Sequence, residues 1–162
     1  MDRKDIFLEQ LLACHNENNW FVSLQSALDG LTEEQASWKD TDATNSIWEI
    51  VNHLIFWNDR ILKRFYGFAA QEQIKNNDDT FQNIRNLDWH ATVAQIDTIM
   101  EKWQTALHNC DETKLALSQS AETEETWTSV LLNFTIHNAY HIGQVISIRK
   151  QQGSWEREHG VH

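Results

Sequence analysis

Two histidines four residues apart, His137 and His141, stand in the stretch HNAYHIGQV, where the surrounding apolar period calls for residues such as leucine. On a helix that spacing puts both imidazoles on one face about one turn apart, where a divalent metal can bridge them. Burying a neutral imidazole without a partner costs roughly 1–3 kcal/mol, so the pair needs hydrogen bonds or a ligand. A third candidate is His53 in WEIVNHLIFW, three residues after Ile50 and four before Trp57, and so on an inward face. Three inward histidines from two helices match the protein's share of an open metal site, in which water or substrate completes the shell. Imidazole ligands suit zinc or nickel before other ions. Zinc proteases of the HExxH type need a glutamate after the first histidine as general base; here that position is Asn138, which argues against peptide hydrolysis by that route.

The other candidates for chemistry read differently. His15, His90 and His108 lie in helical stretches without a matching partner, and His159 and His162 lie in a tail expected to fray, so all five are assigned core or surface roles. Cys14 falls in register with Phe7, Phe21 and Leu28, as a small buried hydrophobe does, and Cys110 sits in a polar stretch. Two cysteines do not make a disulfide framework, and a reducing, cytoplasmic setting is expected.

The elements that must carry these residues are helices. The chain has no proline and five glycines, and its apolar periods are helical. A first helix is expected from about Asp2 to Asp29, with Gly30 at its left-handed stop, followed by a short turn of helix opened by the capping box of Thr32 and Gln35. Ser46 and Glu49 open a second helix that ends near Gly67. Residues 68–86 have no clear period and read as a long crossover. Third and fourth helices follow at about 88–108 and 126–152, the last stopping at Gly153. Four long amphipathic helices imply an all-α four-helix bundle, one domain over residues 1–162 with a short tail from about residue 153. If the second and fourth helices are antiparallel neighbours, His53 and His141 lie at depths within roughly 6 Å of each other.

Composition narrows the partners. Thirteen Lys and Arg against 24 Asp and Glu give a net charge of −11, which repels nucleic acid and anionic lipid. No apolar run is long enough to cross a bilayer, and the start lacks a signal-peptide core. Eight Trp against two Tyr is an unusual aromatic set, and a homodimer is compatible with such a chain.

LTEEQASWKD, IWEIVNHLIFWNDRIL and HNAYHIGQVISIRKQQG together resemble the DinB/YfiT-like superfamily of bacterial metal-binding bundles. The resemblance implies that the first two helices are antiparallel, the second and third parallel through the crossover, and the fourth antiparallel to the second. It also implies a metal on His53, His137 and His141, and a thiol S-transferase that joins a small thiol of the bacillithiol type to an electrophile. A histidine at 137, where the mycothiol-dependent isomerase branch has a glutamate, is similar to the transferase-like branch. Two alternatives stay open: a metal-dependent small-molecule hydrolase, and a non-catalytic metal-binding protein of the stress response. The metal is expected toward the bundle end closed by residues 30–45 and the tail. Trp38, Trp89, Trp155 and Arg149 near that end are candidates for substrate contact, against core-capping and helix-end roles. Gln144 is a candidate for fixing an imidazole tautomer, Gly143 for close helix packing, and Glu49 is the one carboxylate that can be placed near the histidines.

Overall fold

The computed structural model describes residues 2–42, 44–69 and 74–160. Among the described residues six α-helices are formed: α1 Arg3–His15, α2 Leu24–Leu28, α3 Glu33–Ser37, α4 Ile47–Phe65, α5 Trp89–Asn109 and α6 Trp127–Gln151. Four of them are long, and the described residues contain no strand. The Thr32–Gln35 and Ser46–Glu49 capping boxes are both made, so these helices start where the sequence places them. Gly30, Gly67 and Gly153 follow helix ends with φ of 70°, 84° and 76°.

One expectation fails. The first helix does not run to Asp29; it stops at His15, and a separate short helix begins at Leu24. The break falls on Asn16, Glu17, Asn18 and Asn19. Asparagine side chains compete with the helical ladder for backbone groups, and here Asn18 Oδ1 accepts the Ser23 N–H at 2.9 Å. Ser23 in turn caps α2. The crossover holds a 3₁₀ turn over Asn77–Phe81; its residues 70–73 lie outside the described residues. The tail does not fray through residue 160: the Trp155 ring lies 5.0 Å from the Arg149 guanidinium, and Gly160 packs toward Val22.

Contacts arrange the long helices in a ring, α1 against α5, α5 against α4, α4 against α6 and α6 against α1. Their directions follow from which residues meet. Trp48 meets Trp89 and Thr92, while Phe65 meets Trp103, so α4 and α5 are parallel. His53 meets His141 and Phe65 meets Trp127, so α6 runs antiparallel to α4. α1 is antiparallel to α5, with His15 bonded to Asp97 and Gln104 and Arg3 to Glu112 just beyond the far end. The core includes Trp103, Leu11, Ile47, Ile50, Leu54, Ile96, Met100 and Leu131, all nearly inaccessible to solvent.

A polar pair sits inside this apolar ring. Asn58 Nδ2 donates to Asn138 Oδ1 at 2.9 Å, and Asn138 Nδ2 returns a bond to Asn58 Oδ1 at 3.1 Å. Asn58 Nδ2 also donates to the Leu54 carbonyl, and the Trp103 indole N–H donates to the Asn58 carbonyl. Asn138, the residue that excludes a protease motif, is therefore an interhelical register pin. Asn138→Ala leaves the Asn58 Oδ1 without a donor in a dry interior, while Asn58 Nδ2 keeps the Leu54 carbonyl. Equilibrium urea unfolding is expected to show a loss of about 1–3 kcal/mol, with helical content at zero denaturant retained.

Candidate metal site

α4 contributes His53 and α6 contributes His137 and His141, and the antiparallel register brings the three rings together. His137 Nε2 lies 3.1 Å from His53 Nε2 and 3.1 Å from His141 Nε2. A ligand atom from each ring falls within 4.8 Å of the other two, and the cluster could hold a metal ion. Nitrogens around a tetrahedral zinc at about 2.0–2.1 Å stand about 3.3 Å apart, close to the spacing found.

The outer ring nitrogens decide the fit. His53 Nδ1 is 2.6 Å from Thr80 Oγ1, and the Thr80 hydroxyl proton is already donated to the Asn77 carbonyl at 2.6 Å. Thr80 can therefore only accept, so His53 carries its proton on Nδ1 and turns the Nε2 lone pair inward. His141 Nδ1 lies 2.7 Å from Gln144 Oε1, an amide oxygen that is always an acceptor, and the same tautomer follows. Gln144 is itself held by a 3.0 Å bond from its Nε2 to the Tyr140 hydroxyl. Two inward lone pairs thus confront a single third nitrogen, that of His137, whose one proton can satisfy only one of them in a linear bond. A cation satisfies all three.

The rings are also held neutral. Burial first, then the neighbouring His141 and His137, lower His53 to about 3; burial and His141 lower His137 to about 4. Burial lowers His141 too, partly offset by its bond to Gln144. Phe81 stacks on His53 at 4.1 Å between ring centroids and 12° between planes.

Beside the cluster opens a cavity of about 530 Å³ between α4 and α6. Trp57, Ile61, Val130, Phe134 and Phe81 give it apolar walls, and Arg64, Gln119, Glu125, Asn133 and Asn77 supply polar groups. The opening is not where the sequence places it. Trp38, Trp89, Trp155 and Arg149 are absent from the lining. Trp89 is buried and donates to the Leu31 carbonyl at 3.0 Å. Arg149, only 4% exposed, donates to the carbonyls of Ala27, Asp29 and Ser154 and so ties α2 and the tail to α6. Trp38 is half-buried beside a smaller, separate depression. Glu49 is spent on its capping box and a 2.7 Å ion pair with Lys39, whereas Glu125 is the carboxylate on the cavity. Gly143 is exposed and packs on nothing.

Sequence reasoning missed Thr80, Phe81, Arg64 and Glu125, all supplied by connections or helix ends. The run DDTF, which sets Phe81 in the polar middle of the crossover, is the faint signal that the segment returns to the core.

Residues 19–145, which include all three histidines, match the family model of the DinB superfamily. The chain belongs to the DinB superfamily. That family is a four-helix bundle, in accord with the helices found here. No curated protein and no solved structure gives a significant match. Among the described residues of this DinB superfamily chain no helix is long and apolar enough to cross a membrane.

The depressed imidazoles make a pH prediction for the metal-free protein. In the unfolded chain His53 and His137 regain their ordinary value of 6.5 and bind protons that the two folded rings refuse until about pH 4. The unfolded state then binds more protons, so stability falls as pH drops through that window. On acidification from about pH 7 to about pH 4.5, the urea midpoint of metal-free protein is expected to fall more steeply than that of His53→Gln.

Proposed function

We propose that this chain binds a divalent ion through His53, His137 and His141 and joins a small thiol to an electrophile, as a metal-dependent thiol S-transferase. The observation that carries the reading is the pair of inward lone pairs fixed by Thr80 and Gln144, which the protein alone leaves unresolved. With an ion bound, three neutral imidazoles leave it its full 2+ charge, which lowers the pKa of a thiol that reaches it. Trp57, Phe81 and Phe134 give apolar walls to a cavity of small-molecule size beside the histidines. The thiol is a substrate and not a side chain: burial raises Cys14 to about 12 and also raises Cys110, and neither lines the cavity. Zinc and nickel are the ions proposed, and the free cysteines fit a reducing cytoplasm.

A hydrolase is the second reading, and a specific observation favours it: Glu125 lines the same cavity and could serve as a base for water. The third reading, a bundle that the metal merely stabilises, makes a different forecast for a ligand deletion.

Protein purified without a histidine tag is expected to carry one zinc or nickel ion per chain by elemental analysis. His137→Ala is expected to lose the metal and about 1–3 kcal/mol of stability while keeping its helical circular dichroism at room temperature. Collapse of that signal would instead make the metal structural. For activity, metal-loaded protein is incubated with bacillithiol, glutathione or cysteine and monochlorobimane, beside a panel of esters and amides. Conjugation above the rate of the triple histidine variant is expected; metal-dependent ester turnover without conjugation would establish the hydrolase.

A further inference from the structure

The cavity has a second end. Along α4 its wall is His53, Trp57, Ile61 and Arg64, spaced four, four and three, and along α6 it is Val130, Asn133, Phe134, His137 and His141. The two stripes make a groove with the histidines at one end and Arg64 at the other, separated by Trp57, Ile61, Val130 and Phe134. Eleven residues of helix span about 16 Å, and the Arg64 side chain lines the same cavity as the three histidines.

Arg64 is not neutralised. Among the described residues it forms no ion pair, whereas Lys63 beside it is bonded to Asp59 at 2.9 Å. Among the described residues its one acceptor is the neutral amide oxygen of Gln119, 2.6 Å from Nη1. The Gln119 amide nitrogen in turn donates to Glu125, so a carboxylate is held on the far side of the glutamine. The helix dipole favours any cation in the last turn of α4, which accounts for a basic residue there but not for a half-buried guanidinium lining a cavity with donors to spare.

We infer that Arg64 is the anchor for a carboxylate at the distal end of an elongated substrate, whose apolar middle lies along Trp57, Ile61 and Phe134 and whose reactive end reaches the three histidines. The inference rests on the metal-site reading for the reactive end alone. The ligand class is an amphiphilic carboxylic acid, and Arg64 is its specificity-determining contact: a planar fork matches a carboxylate in two parallel hydrogen bonds, and an equally long neutral molecule leaves those donors unpaired. Glu125 opposes the anion from behind Gln119 and sets the affinity lower than the guanidinium alone would give.

The test is a calorimetric titration of zinc-loaded protein with straight-chain ω-mercaptoalkanoic acids of increasing length and with the mercaptoalcohols of equal length. At the best-fitting length the acid is expected to bind at least about tenfold tighter than its alcohol, the gain from one charge-assisted bidentate pair. Arg64→Gln should erase that ratio, chiefly by weakening the acid, Arg64→Lys should keep part of it, and Glu125→Gln should increase it. An acid-to-alcohol ratio that survives Arg64→Gln, or an acid no tighter than its alcohol at every length, overturns the inference. If the protein takes up no zinc, plain alkanoic acids and alcohols are titrated into it as purified. A preference for the acid that vanishes in Arg64→Gln then upholds the anchor while the metal reading falls, and no preference sinks the anchor as well.

Discussion

Two carboxamides, those of Asn58 and Asn138, exchange hydrogen bonds in the dry interior between α4 and α6, and the pairing tolerates no slip. Moving α6 by one residue would turn Asn138 about 100° around the helix axis and strand both amides. His137 is the next residue on α6, and His53 is five residues back along α4. The same pin that fixes the helices therefore fixes how closely three imidazole nitrogens approach. Apolar packing alone would hold the helices together, but it would hold them in several registers nearly equally well.

Within that frame the histidine cluster is an unfavourable thing for a fold to make on its own. Thr80 and Gln144 orient two lone pairs toward one nitrogen, and burial denies the rings the protons that would relieve the crowding. The stability forgone locally is supplied by the aromatic core that Phe65, Trp127 and Phe134, farther along α4 and α6, form with Trp103 of α5. Divided this way, the core that holds the helices together lies apart from the three rings.

The parts legible in the sequence are those written in a local code. Capping boxes, stop glycines and the 3.6-residue period locate α3 to α6, and the same period turns His53, His137 and His141 inward. The break after His15 was not legible as a stop, because Cys14, Phe21 and Leu28 keep helical register across it. Three asparagines of weak helix propensity were outweighed on paper by that register and not in the fold. The open side of the cavity was hidden for a different reason. It is set by which connections fold back, and Thr80, Phe81 and Glu125 come from connections with no period to read. Arg149 was misplaced because a charged residue at a helix end suggests solvent or substrate, while here the carbonyl oxygens of two neighbouring segments surround it.

The 3₁₀ turn Asn77–Phe81 holds more than its size suggests. Its internal bond from Thr80 to Asn77 is what commits the Thr80 oxygen to accepting, and hence what commits His53 to a lone pair facing the cluster. If that turn opens, His53 is released to either tautomer and loses the Phe81 ring stacked on it. Closure of the turn and occupancy of the histidines are thus one thermodynamic square, and whatever free energy the closed turn adds to binding, a bound cation must return to the closed turn. Were a cation to bind, the Asn77–Phe81 turn would act as a latch in direct contact with a ligand ring, its rate of hydrogen exchange a gauge of how full the site is.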